Sequence, residues 1–245
     1  MMERMRTLFD SHAANLAPAD LAGPVPPVEA VLFDFANTIF RMIDAEEWLR
    51  RTGIDEPALV VTRLAEAARR PEVAAAQVGR DTDAEAHRRA MYAWFSAVDA
   101  LRGHEKAAYD RMIADDSWVP YGDTEPVLRA LFERGIPVGV VSDIAWDISA
   151  HLAHHGMAHL VDAYALSHEV GREKPDPQIF LKACADLGVD PRRTLMVGDN
   201  PARDGGAAVV GIRALILPAE HRTGERGLHQ VLALVDAEFG QHLRG

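Results

Sequence analysis

Short apolar segments alternate with amphipathic helical patterns over most of this chain, and no other feature limits its possible folds as much. The segments are 29–34, 137–142, 162–167, 194–198 and 213–217, each bounded by turn-forming residues. Between the first and second of them, and again before the fourth, helical spacing takes over. Val127, Leu128, Leu131 and Phe132 fall on one helical face, with Asp123 or Thr124 as the predicted cap and Gly135 as the stop. Residues 177–187 repeat that pattern through Ile179, Phe180, Ala183, Cys184 and Leu187, ahead of Gly188. Strands that alternate with helices predict an α/β fold around a mostly parallel, doubly wound sheet. Ligands of such sheets bind beyond the carboxyl ends of the strands.

Residues 40–120 interrupt the alternation. Only helices are predicted there, over 45–51, 57–69, 83–102 and 105–114, the third with Met91, Trp94, Phe95, Val98 and Leu101 at helical spacing. About 80 residues of helix exceed what a plain crossover between strands needs, so the stretch reads as an inserted all-helical cap domain with Trp94 in its own core. The predicted division is therefore an N-terminal extension over 1–29, a core domain over 30–39 and 121–245, and a helical cap over 40–120. The extension is rich in Ala, Pro and Gly, and Gly23-Pro24-Val25-Pro26-Pro27 reads as an extended linker.

Composition narrows the class of protein. The net charge is −11 in 245 residues, which argues against general nucleic-acid or anionic-membrane binding. No apolar run approaches the roughly 20 residues that cross a bilayer, and Asp10, His12 and Asn15 interrupt any signal-peptide centre. The single cysteine, Cys184, permits no internal disulfide and fits a reducing, cytoplasmic setting.

Four polar islands stand at strand ends or helix starts. Asp34 follows Val31-Leu32-Phe33 and opens Phe35-Ala36-Asn37-Thr38. Ser142-Asp143 follows Val138-Gly139-Val140-Val141, and Lys174-Pro175 precedes the 177–187 helix. Gly198-Asp199-Asn200, with Asp204, follows Leu195-Met196-Val197. A carboxylate, a hydroxyl, a lysine and an acidic pair at successive strand ends describe a site that handles an anion with a divalent metal. Lysine is otherwise scarce: Lys106, Lys174 and Lys182 are the only three among 26 basic residues. A compact ammonium retained in an arginine-rich chain suits a point that needs one localised positive charge.

Taken in order, and with a helical insertion after the first, these motifs resemble those of the haloacid dehalogenase (HAD) superfamily of hydrolases. The resemblance spans about residues 30–220. It implies a Rossmann-like core with a mobile cap and, in most members, Mg2+-dependent phosphoryl transfer through an aspartyl-phosphate. By that resemblance Asp34 matches the nucleophile. Asp199 matches the Mg2+ ligand, alongside Asp34 and the backbone carbonyl of Ala36, and Asp204 supports the metal directly or through water. Ser142 and Lys174 match the groups that bind the transferred phosphoryl, and Asn37, Thr38 and Asp143 complete the expected substrate-binding set, with Thr38 equally suited to ordering the first loop. The implied partner is a small anionic, phosphorylated molecule.

Ala36 departs from the pattern. Most phosphatases of the superfamily carry a second aspartate there, which protonates the departing alcohol and then activates water. Alanine transfers no proton, and general acid–base help is worth roughly 10²–10⁴ in rate. Three readings follow: a substrate whose leaving group departs unprotonated, cleavage of a bond other than a phosphate ester, or a weakly catalytic phosphate- and metal-binding module. Phosphonoacetaldehyde hydrolases share an alanine at this position but add a cap lysine, for which Lys106 is the sole candidate. Dehalogenases of the superfamily lack the Gly-Asp-Asn arrangement, so Asp199 argues against them. Asn37, in place of a common glycine, tolerates left-handed backbone.

Other signals read as structural. His151, His154, His155 and His159 lack carboxylate-rich company, Cys184 sits on an apolar stripe, and Glu46-Glu47 with Arg50-Arg51 form a paired helix face. His87, Arg88 and Arg89 are unranked candidates to face the site from the cap.

Overall fold

The computed structural model describes residues 26–218 and 224–242, with side chains to residue 235. The expected extension over 1–29 therefore lies, up to residue 25, outside the described residues. From residue 26 onward the first elements are β1 (Ala30–Phe33) and β2 (Phe40–Met42), followed by α1 (Ala45–Arg51), α2 (Pro57–Ala67), α3 (Pro71–Ala76), α4 (Ala84–Ser96) and α5 (Glu105–Ile113). Next come β3 (Trp118–Pro120), α6 (Thr124–Glu133), β4 (Val138–Ser142), α7 (Ser149–His154), β5 (Ala163–Leu166) and α8 (Ser167–Val170). Last are α9 (Pro177–Leu187), β6 (Thr194–Gly198), a 3-10 turn over Asp204–Val210, β7 (Arg213–Ile216) and α10 (His229–His242).

Five strands pair in the order β5-β4-β1-β6-β7, and every pairing is parallel. Side chains alternate across the sheet as strand geometry demands. Val31, Phe33, Val138, Val140, Leu195 and Val197 enter one core layer with Val127, Leu128 and Leu131 of α6 and Val231 of α10. Leu32, Val141 and Met196 point the other way, into a layer with Ile179, Phe180, Ala183 and Cys184 of α9. A sheet buried on both faces explains why its strands read as continuous apolar runs. Chain order reverses at β1, so the crevice beside its carboxyl end is the natural ligand site. Among the described residues no helix is long and apolar enough to cross a membrane.

The stretch between β2 and β3 holds α1–α5 around a separate apolar cluster that includes Trp48, Leu49, Leu64, Met91 and Phe95. Helices fill it, but its two ends do not stay helical or irregular: Phe40–Met42 pairs antiparallel with Trp118–Pro120. These three-residue strands are too short for periodicity to reveal, and the pairing of residues 80 apart is a tertiary event. The helix expected over 83–102 also ends early, at Ser96. Val98 turns extended, and Arg70 Nη1 caps the open end by donating to Ala97 O at 3.1 Å. An additional helix, α3, starts at Pro71, a favourable first-turn position. Neither expected cap of α6 acts as one. Thr124 Oγ1 donates to Ile39 O at 2.7 Å, and the Asp123 carboxylate accepts from the N–H groups of Arg226, Gly227 and Leu228.

Candidate active site

Asp34 leaves β1 with its N–H still donating to Val197 O of β6 at 2.8 Å, so the sheet itself sets the backbone beneath the carboxylate. The chain then turns tightly, with Asn37 in left-handed conformation at φ 61°. That is tolerable for asparagine and strained for most residues. Arg226 fixes this turn from outside, its Nε donating to Asn37 O at 2.6 Å.

Lys174 is the centre of the arrangement. Its buried ammonium donates to Asp34 Oδ1 at 2.6 Å, Asp204 Oδ1 at 2.7 Å and Val141 O at 3.2 Å, which uses all three protons. Burial by itself lowers a lysine, but here the charges of Asp34, Asp204 and Asp143 outweigh it and hold Lys174 above the usual range. Burial pushes Asp34 up to about 6, against the pull of Lys174 and with a further push from Asp204 and Asp199. Asp199, half-buried, is also raised, first by desolvation and then by Asp204.

Two glycines permit these close approaches. A Cβ on Gly198 would lie 2.2 Å from Asp204 Cγ, and one on Gly206 would lie 2.3 Å from Pro175 Cβ. Bare backbone at these points lets the Asp204 turn nest against the end of β6 and the Lys174-Pro175 segment. Asp204 is locked on its other side as well, since Oδ2 accepts from Asn200 N at 2.9 Å.

One oxygen from each of Asp34, Asp199 and Asp204 lies within 4.8 Å of the others. These are hard, anionic donors, and a set this small leaves places for water, which suits a Mg2+-sized cation. Among the described residues no other group of histidine, cysteine or acidic side chains gathers this closely. His151 is instead buried between Phe35 and Trp118, His155 Nε2 lies 2.8 Å from Trp118 O, and Cys184 is buried beside Thr194.

The expected site residues meet around one cavity of about 440 Å³, walled by Asp34, Ala36, Asn37, Ser142, Asp143, Lys174, Asp199 and Asp204. Thr38 is the exception. It is fully buried outside that wall, and its Oγ1 donates to Asp34 Oδ2 at 3.3 Å, which steadies the carboxylate from behind the cavity. Asp143 faces the cavity with both oxygens engaged, one accepting from Lys174 N at 2.7 Å and the other from Arg203 Nη1 at 2.7 Å. It braces the lysine loop, and its negative charge repels an anion rather than holding one.

Residues that sequence spacing missed complete the wall. Gln77 and Arg80 reach it from the helical stretch, and Arg203 from the turn before Asp204. Gly79, in left-handed conformation, swings this loop against the core, where Ser167 Oγ donates to Asp81 O at 2.6 Å. Gly79, between two expected helices, marks a turn in the sequence but not what that turn packs against. His87, Arg88 and Arg89 do not face the cavity: His87 is buried beside Tyr109 and Trp146, and both arginines pair with Glu85. Lys106 pairs with Asp110 on an exposed helix face, also away from the cavity, so no cap lysine is placed for Schiff-base chemistry.

Known proteins share this plan. A HAD phosphatase from Thermococcus onnurineus superposes with a TM-score of 0.58 at 22% identity, covering 86% of this chain and 99% of that one. A 2-haloacid dehalogenase from Pseudomonas syringae gives 0.59 at 19% identity with the same coverage. A phosphatase and a dehalogenase match equally, so the fold alone does not choose the chemistry. Phosphoserine phosphatase of Thermus thermophilus is 36% identical over 97 residues, which is 39% of each chain. The aligned stretches of this chain span between 37% and 52% of the first curated relatives. The family profile of haloacid dehalogenase-like hydrolases covers much more, residues 28–211. With the parallel sheet and the strand-end carboxylates in the same order, that match places the chain in the haloacid dehalogenase-like hydrolase family.

Proposed function

We propose that this protein is a phosphatase that works through an aspartyl-phosphate on Asp34, on small phosphorylated substrates whose leaving group departs without protonation. The observation that carries this reading is the Lys174 ammonium, bonded at once to Asp34 and Asp204 beside Asp199. The names of phosphatase relatives support it. Asp34, Asp199, Asp204 and the carbonyl of Ala36 are the groups that would hold Mg2+, which when bound supplies positive charge to offset a phosphoryl dianion.

In the proposed reaction an Asp34 oxygen attacks phosphorus and the leaving group takes the bonding electrons. Water then opens the acyl-phosphate and restores the carboxylate. Lys174 keeps Asp34 ionised, and Ser142 hydrogen-bonds a phosphoryl oxygen. Thr38 and Asp143 act by positioning Asp34 and Lys174. The core comprises 30–39 and 121–245 in this reading, and 40–120 forms a cap whose Gln77 and Arg80 close over the phosphoryl group.

The absent acid at Ala36 costs about 3–5 kcal/mol of barrier for an alkoxide leaving group, from the rate factor given above. Turnover of para-nitrophenyl phosphate and acetyl phosphate with Mg2+, little turnover of an alkyl phosphate, and none with Asp34→Asn is the expected pattern. Ala36→Asp should then raise the alkyl-phosphate rate by about tenfold or more. Ala36 also favours a second reading, a phosphate- and metal-binding module, which wins if none of the three substrates turns over.

A further inference from the structure

An apolar chamber of about 530 Å³ lies on the other side of Asn37 and has no part in the chemistry described so far. Its size falls within the range of small-molecule sites. Trp48, Val61, Leu64 and Trp94 of the helical stretch form its apolar wall with Met42 of β2, and Arg41 and Asp44 add charge at its border. Both indole N–H groups are satisfied inside the protein: Trp48 Nε1 donates to Ala108 O at 3.1 Å, and Trp94 Nε1 to Leu64 O at 2.9 Å. The polar edges are turned away, and the two indoles offer the chamber their carbon surface. Phe95 buttresses them, its centroid 5.5 Å from Trp48 and 5.6 Å from Trp94, so the wall is set before any ligand arrives. Asn37 borders both this chamber and the polar cavity that holds Asp34.

We infer that the chamber receives the leaving group, and that the substrates are aryl phosphates. The inference rests on the phosphatase reading above and sharpens it to one chemical class. Ala36 cannot protonate a departing oxygen, which selects leaving groups stable as anions. The chamber wall separately selects aromatic carbon. An aryloxide meets both conditions, a small leaving group such as acetate or phosphate only the first, and a simple alkoxide fails the first. A bond forms from an Asp34 oxygen to phosphorus as the P–O(aryl) bond breaks. The electron pair leaves on the aryloxide, which takes its proton from solvent water. A second water cleaves the acyl-phosphate to inorganic phosphate and the Asp34 carboxylate.

The test compares kcat/KM for 1-naphthyl phosphate and acetyl phosphate in the full chain with Mg2+, for wild type, Ala65→Phe and Val61→Asp. Ala65 lines the chamber from an exposed helix position, so the first variant narrows the chamber without touching the core. The naphthyl-to-acetyl ratio is expected to fall about tenfold in both variants, chiefly through KM. An unchanged ratio, or equal losses on both substrates, overturns the chamber. A second readout needs no turnover: 1-naphthol should quench tryptophan fluorescence in wild type and at least tenfold more weakly in Val61→Asp. Quenching that follows this pattern without hydrolysis of either substrate supports the aromatic site while overturning the phosphatase reading. No quenching in wild type overturns the site.

Discussion

Two buried carboxylates share one ammonium at the floor of this site, and that sharing governs what substitutions do. Replacing Lys174 by methionine leaves Asp34 and Asp204 facing each other without compensation, and removal of one partner of a buried pair costs about 3–5 kcal/mol. Lys174→Met is therefore expected to lower urea-unfolding stability by about that amount and to abolish turnover. Lys174→Met combined with Asp34→Asn should recover part of the stability and none of the activity. Asp34, Lys174, Asp199 and Asp204 were legible in the sequence because each sits next to a strand end or helix start that hydrophobic patterning locates. An ordering role was one of the two readings open for Thr38, whereas the bond from Lys174 N to Asp143 had no sign in the sequence. Whether a side chain touches a ligand or steadies its neighbour depends on burial and on hydrogen bonds that spacing does not encode. Arg226 and Arg80 were hidden for a related reason, since sequence distances of 189 and 46 residues from Asn37 and Asp34 carry no local pattern.

The element that joins the helical stretch to the core is the 3-10 turn over Arg80–Thr82, which is tied to Ser167 and to Glu173. His87 of α4 stands behind it, its Nδ1 3.1 Å from Tyr109 Oη and its Nε2 3.8 Å from Asp81 Oδ1. Burial, with help from the Arg80 charge, lowers His87 to about 4. The unfolded chain takes up this proton near the ordinary value of about 6.5, the folded protein only near 4, so stability falls as pH drops between those values. The loss amounts to about 3 kcal/mol by pH 4, and unfolding should be felt first in this part of the molecule. His87→Phe should flatten the urea-midpoint dependence between pH 7 and 4.5 at the cost of the Tyr109 hydrogen bond, about 1 kcal/mol. An equally steep dependence in the variant would place the titrating group elsewhere. Helices here were readable from periodicity, whereas β2, β3 and the Gly79 loop were not. Three-residue strands and a left-handed turn are fixed by what they pack against, and the helical pattern on either side masks them.

At the scale of the whole molecule, strand–helix alternation was enough to give a parallel α/β sheet, because a sheet buried on both faces writes apolar runs into its strands. The order β5-β4-β1-β6-β7 then follows from connections that place Asp34, Ser142 and Asp199 at one edge of that sheet. The family match covers residues 28–211, yet a phosphatase and a dehalogenase superpose on this fold equally well. Chemistry must therefore be decided at Asp34 itself. The most direct measurement is rapid acid quench of the protein during turnover of acetyl phosphate with Mg2+, followed by mass analysis of its peptides. A phosphoryl adduct on Asp34 that disappears on chase, and that Asp34→Asn lacks, is the predicted result. Steady turnover by Asp34→Asn, or an adduct on any other residue, would contradict it.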